Sequence, residues 1–273
     1  MTKTILITGC SSGIGRMNVH FFQEKGWNVI ATVRSKPEED TELNALENVL
    51  VAALDVTKPN TIETAVAAGI ERFGAIDVLL NNAGYGAYGI IEATPEHKIR
   101  MQFEVNVIGV LNVTKAVLPH MRAKGEGVIV NISSMGGKVT FPLGTLYHGS
   151  KFAVEGMTEA MSYELESIGV KVKLIEPGNI RSNFAETTLG NLDIDPNQTE
   201  YAPFIEKITA GFAAAAAESS EPIIVAEAVW QAATDGTDQM RYIAGADAEQ
   251  IIAARKTMDD TEYLAVVRSN MGL

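Results

Sequence analysis

The chain has 273 residues, 46% of them hydrophobic, and a formal net charge of −12. That is enough apolar material for one large core, and too much negative charge for a nucleic-acid or anionic-membrane surface, so any phosphate site must be local. Cys10 is the only cysteine, which excludes an intrachain disulfide and a cysteine-rich metal centre and fits a reducing compartment.

The opening apolar stretch, Ile5 to Ile7, is too short for a secretory segment, and no run approaches the ~18 apolar residues of a membrane helix. A soluble, cytoplasmic protein is expected. Short β-branched runs then recur at Ile5 to Ile7, Val29 to Val33, Val49 to Leu54, Val78 to Leu80, Val128 to Ile132 and Val170 to Ile175. Each is followed by a stretch with helical spacing, which predicts an α/β fold: a doubly wound parallel sheet with helices on both faces and ligands at the carboxyl ends of its strands. Residues 182–222 break the rhythm and read as a substrate lid, with Phe184, Leu189, Leu192, Tyr201, Phe204 and Phe212 as its apolar side chains. Those side chains either line a lipophilic pocket or pack to hold the lid closed. The run Ala213 to Ala217 is helix-forming. No repeat, linker or composition shift marks a boundary, so one domain over 1–273 is expected.

The first strand runs into Thr8-Gly9-Cys10-Ser11-Ser12-Gly13-Ile14-Gly15 and then a helical segment. Glycines let backbone approach a pyrophosphate, and a helix N-terminus offers it unpaired N–H groups. At the end of the second strand, where a carboxylate would accept from the ribose of NAD, stands Arg34; a guanidinium there suits the 2′-phosphate of NADP. The competing reading is a surface arginine paired with Glu38 or Glu39. The acidic runs Glu38 to Asp40 and Asp259 to Asp260 read as solvated turns, with no ligand set for a metal.

Tyr147 and Lys151 stand four residues apart, on one face of a helix expected to run to about Ser167. With seven Tyr in the chain such a pair arises easily by chance, so it needs companions. Ser134 follows the fifth strand, Asn82-Ala83-Gly84 the fourth, and Pro177-Gly178 with Ser182 the sixth. Asn106 sits in a helical segment, where a polar residue on an apolar face requires a partner. His148, the neighbour of Tyr147, points about 100° away from it and is not expected to be an acid or base.

Taken together, these elements resemble the short-chain dehydrogenase/reductase family, and the resemblance runs from the first strand to about Phe184. It implies a Rossmann fold carrying both dinucleotide binding and catalysis, and an oxidoreductase moving a hydride between NADP(H) and a carbonyl or alcohol, most like the members that act on lipophilic ketones and aldehydes. By that resemblance Asn106, Ser134, Tyr147 and Lys151 form the catalytic tetrad, with Tyr147 as the proton-transfer group. The cofactor would meet Gly9, Ser11, Ser12, Gly13, Ile14, Arg34, Asp55, Val56, Asn82, Ala83, Gly84, Tyr147, Lys151, Pro177, Gly178, Ile180 and Ser182. Lys151 is expected to favour the Tyr147 phenolate, and Asn106 to hold a water in the proton path. Relatives commonly pair as homodimers or homotetramers. Met17, Asn18 and His20 make the first helix more polar than in relatives, with His20 expected at the surface. The alternative function is a regulator that senses NADP(H) without turnover.

Overall fold

A computed structural model describes residues 2–273, the side chains of Asn183, Ala185, Glu186 and Leu189 aside. Seven parallel strands form one sheet in the order β3-β2-β1-β4-β5-β6-β7: β1 is Thr4–Ile7, β2 Asn28–Val33, β3 Val49–Ala53, β4 Val78–Asn81, β5 Gly127–Ile132, β6 Val170–Pro177 and β7 Arg241–Ala244. The chain winds outward from β1 to β3, then returns to β4 on the other side of β1. That reversal opens a crevice at the carboxyl ends of β1 and β4, where Ile7 lies in register with both Ala31 and Leu80.

Alternation along the strands builds two cores. Ile5, Ile7, Val29, Val78, Leu80 and Val130 face the helices Gly13–Glu24 and Ile223–Thr234. Leu6, Ile30, Leu79 and Ile129 face the helices Pro59–Phe73, Gly109–Lys124 and Thr145–Glu166. Both faces are covered, which is why these strands read as unbroken apolar runs. Burying each such side chain contributes about 1.5–3 kcal/mol.

The helix after β1 packs against Ile223–Thr234 through an aromatic group: Phe22 meets Trp27 at 5.3 Å and Trp230 at 5.4 Å between ring centroids. Asn18 is buried in this helix; its Nδ2 donates to the Ile14 carbonyl at 2.9 Å while its Oδ1 has no partner. His20 lies at the surface 3.0 Å from Glu42.

β7 is the element the periodicity did not announce. Its four residues, Arg241 to Ala244, include an arginine and a tyrosine, and it pairs only with β6 at the sheet edge. The segment over 182–222 holds two helices, Asn183–Gly190 and Ala202–Ala217. Backbone bonds stitch it down: Arg181 N–H to the Ser220 carbonyl and Ser220 N–H to the Asn179 carbonyl, both 2.8 Å, then Asp193 N–H to the Tyr88 carbonyl and Ile90 N–H to the Asp193 carbonyl, both 2.9 Å. An ion pair between Lys98 and Asp193 adds to the second stitch. Leu192, Tyr201, Phe204 and Phe212 pack around Ile90, Leu143 and Ile208, so those four hold the segment in place; Leu189 lies outside the described side chains. No helix among the described residues is long and apolar enough to cross a membrane.

Candidate active site

At the carboxyl end of β1 the chain turns through Gly9 (φ +74°) and Gly13 (φ +56°). A Cβ on Gly9 would stand 2.9 Å from the Ala83 backbone, and one on Gly15 would stand 2.2 Å from the Gly9 carbonyl, so glycine is required for the two segments to close on each other. Asn82 fastens them, donating from Nδ2 to the carbonyls of Thr8 (2.8 Å) and Gly9 (3.1 Å), while Thr8 Oγ1 accepts from the N–H groups of Asn82 and Ala83. Ser12 caps the following helix in extended backbone conformation, yet its side chain makes no capping bond and no acid occupies the first turn, Gly13 and Ile14 included. The N–H groups there lack a side-chain acceptor, as an anion site requires.

Arg34 is exposed and pairs with no acid among the described residues; Glu39 is taken by Lys36 at 2.6 Å. Close by, Arg16 grips Asp40 at 2.8 Å and Glu42 at 2.7 Å, and the guanidinium holds the Asp40 carboxyl below its ordinary range. Asp40 also accepts from the Leu43 N–H at 3.1 Å. The Glu38 to Asp40 run is therefore a structured corner at Asp40, beyond the solvated turn expected. Asp259 likewise closes a capping box with Glu262. Asp55 accepts from the N–H and hydroxyl of Thr57, and Val56 packs where a side chain on Gly109 would stand.

On the other side of the crevice the polar side chains around Tyr147 are held by protein partners. The helix Glu96–Phe103 widens into a π-helical turn over Glu104–Ile108, a distortion that recurs at functional sites. Asn106 lies in that turn. Its Oδ1 accepts from the Tyr85 N–H at 3.1 Å and its Nδ2 donates to the Tyr85 carbonyl at 2.9 Å and to Ser150 Oγ at 3.1 Å. Gln102, one turn earlier, donates to the same carbonyl and the same hydroxyl and accepts from the Ala87 N–H at 2.7 Å. The pair clamps the loop from Gly84 to Ala87 onto Ser150, beside Tyr147. The Asn106 side chain is thereby fully engaged, so a water held at this residue falls to its main chain.

Tyr147 and Lys151 both lie on the helix Thr145–Glu166 and are both buried. Lys151 Nζ donates to the Ile132 carbonyl at 2.9 Å and stands 5.8 Å from the Tyr147 ring centroid. Burial pushes the phenol up to about 12, opposed by the Ser134 hydroxyl beside it. Burial also pulls the Lys151 ammonium down to about 8, opposed by Glu155. Burial thus opposes ionisation at both groups, and the cause that favours the phenolate is the Ser134 hydroxyl. Ser134 accepts from the Gly136 N–H at 3.0 Å.

The His148 ring lies edge-on to Tyr147, 5.7 Å between centroids, closer than the helical offset implied, yet both its nitrogens are consumed structurally, with Nδ1 2.9 Å from the Gly136 carbonyl and Nε2 accepting from the Phe141 N–H at 3.0 Å. Burial lowers its pKa, which matches a neutral ring donating through Nδ1. After β6, Gly178 donates to the Ala244 carbonyl at 2.9 Å and Asn179 N–H to Asp247 at 2.7 Å, so β7 and the helix after it hold the Pro177-Gly178 turn. Ile180 packs on the core, and Ser182 stands 3.4 Å from where a Cβ on Gly13 would be. The two ends of the crevice therefore meet.

Tyr88 went unnoticed in the sequence. Its ring lies 5.4 Å from Tyr147 and 6.1 Å from Phe212, and Phe184 lies 5.4 Å from Tyr147 on the lid side. Phe184 thus lines the site while its neighbours pack the lid. Tyr88 sits in a glycine-rich loop with no periodicity to flag it; of the Gln102–Asn106 clamp, Asn106 stood out in the sequence and Gln102 did not.

The short chain dehydrogenase family model matches residues 3–191. This chain belongs to that family. Two uncharacterized oxidoreductases of Schizosaccharomyces pombe are each 43% identical over 239 residues, covering 87% of this chain and 99% of theirs. The 3-ketodihydrosphingosine reductase of Bacteroides thetaiotaomicron is 41% identical over 184 residues, 67% of this chain and 66% of the relative. Among solved structures, a short-chain dehydrogenase from Streptomyces avermitilis superposes with a TM-score of 0.79 at 31% identity, covering 100% of this chain and 95% of the other. ElxO with NADP bound gives 0.72 at 25% over 90% and 98% of the two chains. The 3-ketoacyl-(acyl-carrier-protein) reductase of Brucella melitensis, complexed with NADH, gives 0.72 at 26% over 88% and 94%. The fold and family are those of oxidoreductases that use nicotinamide cofactors.

Proposed function

We propose that this oxidoreductase reduces a lipophilic ketone or aldehyde with NADPH, or runs the reverse oxidation, with Tyr147 as general acid and base. The observation that carries the proposal is a buried phenol with the Ser134 hydroxyl beside it, Lys151 one helical turn away, and the apolar faces of Tyr88 and Phe184 around it. NADP(H) fits the residues present: the glycine turn and the uncapped helix N-terminus at Ser12 for the pyrophosphate, and the unpaired Arg34 with Ser11 for the 2′-phosphate. Asp55, Val56 and Asn82 to Gly84 would flank the adenosine and its ribose, and Pro177, Gly178, Ile180 and Ser182 the nicotinamide. When bound, the nicotinamide supplies or accepts the hydride.

Ser134 Oγ hydrogen-bonds the substrate oxygen and Tyr147 Oη gives it a proton as charge develops there. Lys151, charged below about 8, stabilises the phenolate that remains, and the main chain of Asn106 in the π turn holds the water through which the proton is replaced. Tyr88 and Phe184 present apolar faces beside Tyr147, and hydrophobic contact there favours large flat or alkyl carbonyl compounds over small polar ones. The 3-ketodihydrosphingosine reductase relative supports that class. Exposed Ile108, Phe152 and Tyr163, on the helices carrying Asn106 and Tyr147, support a homodimer or homotetramer.

The test is a panel of carbonyl compounds, from short aldehydes to long-chain and polycyclic ketones, each assayed with NADPH and NADH by loss of reduced-cofactor absorbance. Turnover rising with apolar size, and faster with NADPH, is expected. No turnover across the panel would overturn the proposal.

A further inference from the structure

Behind Lys151, away from the crevice, three elements bury a second set of polar groups that the reaction leaves unused. Glu155 lies one turn along the helix from Lys151, Glu176 is the residue before Pro177-Gly178, and Ser133 is the residue before Ser134. All three are buried, Glu176 to 1% exposure. Glu155 Oε1, Glu176 Oε1 and Ser133 Oγ are without a hydrogen-bond partner among the described residues. They are neighbours: Arg241 Nε reaches Glu155 Oε2 at 2.9 Å and stands 3.5 Å from Glu176 Oε1. A Cβ on Gly137 would meet both Ser133 Oγ (2.8 Å) and the Glu155 side chain (2.9 Å).

The charges do not balance if both acids are ionised. Arg241 is the cation that reaches both acids among the described residues, it also serves Glu159 through Nη2 at 2.7 Å, and Lys151 acts on Glu155 from one helical turn away. Lys138 reaches only Glu155, at 3.9 Å, and Lys256 acts on Glu176 without an ion pair. Two adjacent carboxylates in a dry site cannot both ionise cheaply, and a buried oxygen without a donor carries a penalty of its own. A proton on Glu176 relieves both costs: it removes one buried charge and gives that carboxyl an O–H to donate. Burial and the neighbouring Glu155 push Glu176 up to about 7, against Lys138, Arg241 and Lys256.

We propose that Glu176 keeps a proton beside Glu155, Arg241 and Ser133, and that this cluster is a positioning device that sets the charge of Lys151 from behind the active site. The second half rests on the role proposed for Lys151; the first half does not. Taking up or releasing the proton involves no other bond and no redox change. The cluster touches the strand end before Ser134, the turn before Gly178 and the helix of Lys151, so its charge state reaches three parts of the site together. Arg241, which balances it, comes from β7, beyond the stretch matched by the family model.

Two readouts separate the halves. A Glu raised in the folded state stabilises most below its unfolded value of 4.5, and that contribution is lost as pH rises through about 7. The melting temperature of the cofactor-free protein is therefore expected to fall between pH 5 and pH 8 by several degrees more in the wild type than in Glu176→Gln, which mimics the protonated acid. Parallel melting curves would overturn the proton on Glu176, since a merely structural role shifts the curve without changing its slope. For the second half, Glu155→Gln removes the charge that supports the Lys151 ammonium, so the alkaline limb of the carbonyl-reduction profile moves to lower pH, while Glu176→Gln moves it less. An unmoved limb in Glu155→Gln would overturn the link to Lys151 and leave the melting result standing.

Discussion

The two sides of the crevice solve opposite problems. On the β1–β2 side the chain leaves groups open: Ser12 caps a helix without using its hydroxyl, and Arg34 stands exposed with no acid. On the β4–β6 side it closes nearly everything, with Asn106, Gln102, Ser150 and His148 each satisfied by protein atoms. What stays available there is the phenol of Tyr147 and the hydroxyl of Ser134. The first side is built to receive charge from outside, and the second to fix the position and protonation of a few groups inside. Substitutions on the first side should therefore change affinity and leave stability alone, while those on the second should change turnover and stability.

Ser134→Ala should have the largest effect of the substitutions that probe this contrast. Loss of one preorganised donor to the reacting oxygen is expected to lower kcat by ~10²–10³, measured with NADPH saturating. Asn106→Ala comes next: it strips partners from both backbone groups of Tyr85 and from Ser150, and should cost about 1–3 kcal/mol of stability, read by denaturant unfolding, with a fall in kcat as the Gly84 to Ala87 loop loosens. Arg34→Ala should be the mildest in stability, with no change in melting temperature, while NADPH binding weakens ~10–100-fold and NADH binding does not. If Arg34→Ala destabilised the fold as much as Asn106→Ala, the contrast between the two sides would break.

The same contrast explains what could be read from the residues alone. The phosphate turn was legible because it is local: Gly9, Gly13 and Gly15 lie within one strand–turn–helix unit, where backbone sterics dictate glycine. The other six strands were legible because burial selects apolar, β-branched runs. β7 was not, because an edge strand of four residues with Arg241 in it shows no run. The Tyr147–Lys151 spacing was visible, but its electrostatics were not, since the shifts come from desolvation by segments distant in the chain. Glu155, Glu176 and Arg241 meet only after β6 and β7 pair. Tyr88 depends on a loop folding back onto the helix of Tyr147, which spacing does not encode.

Tyr147→Phe bears most directly on the central claim, because it removes one oxygen from a buried ring and leaves the packing against Tyr88 and Phe184 in place. With a carbonyl substrate found in the panel, kcat is predicted to fall by several orders of magnitude while NADPH binding, measured by calorimetry, stays within twofold of the wild type. Turnover close to that of the wild type would contradict the account.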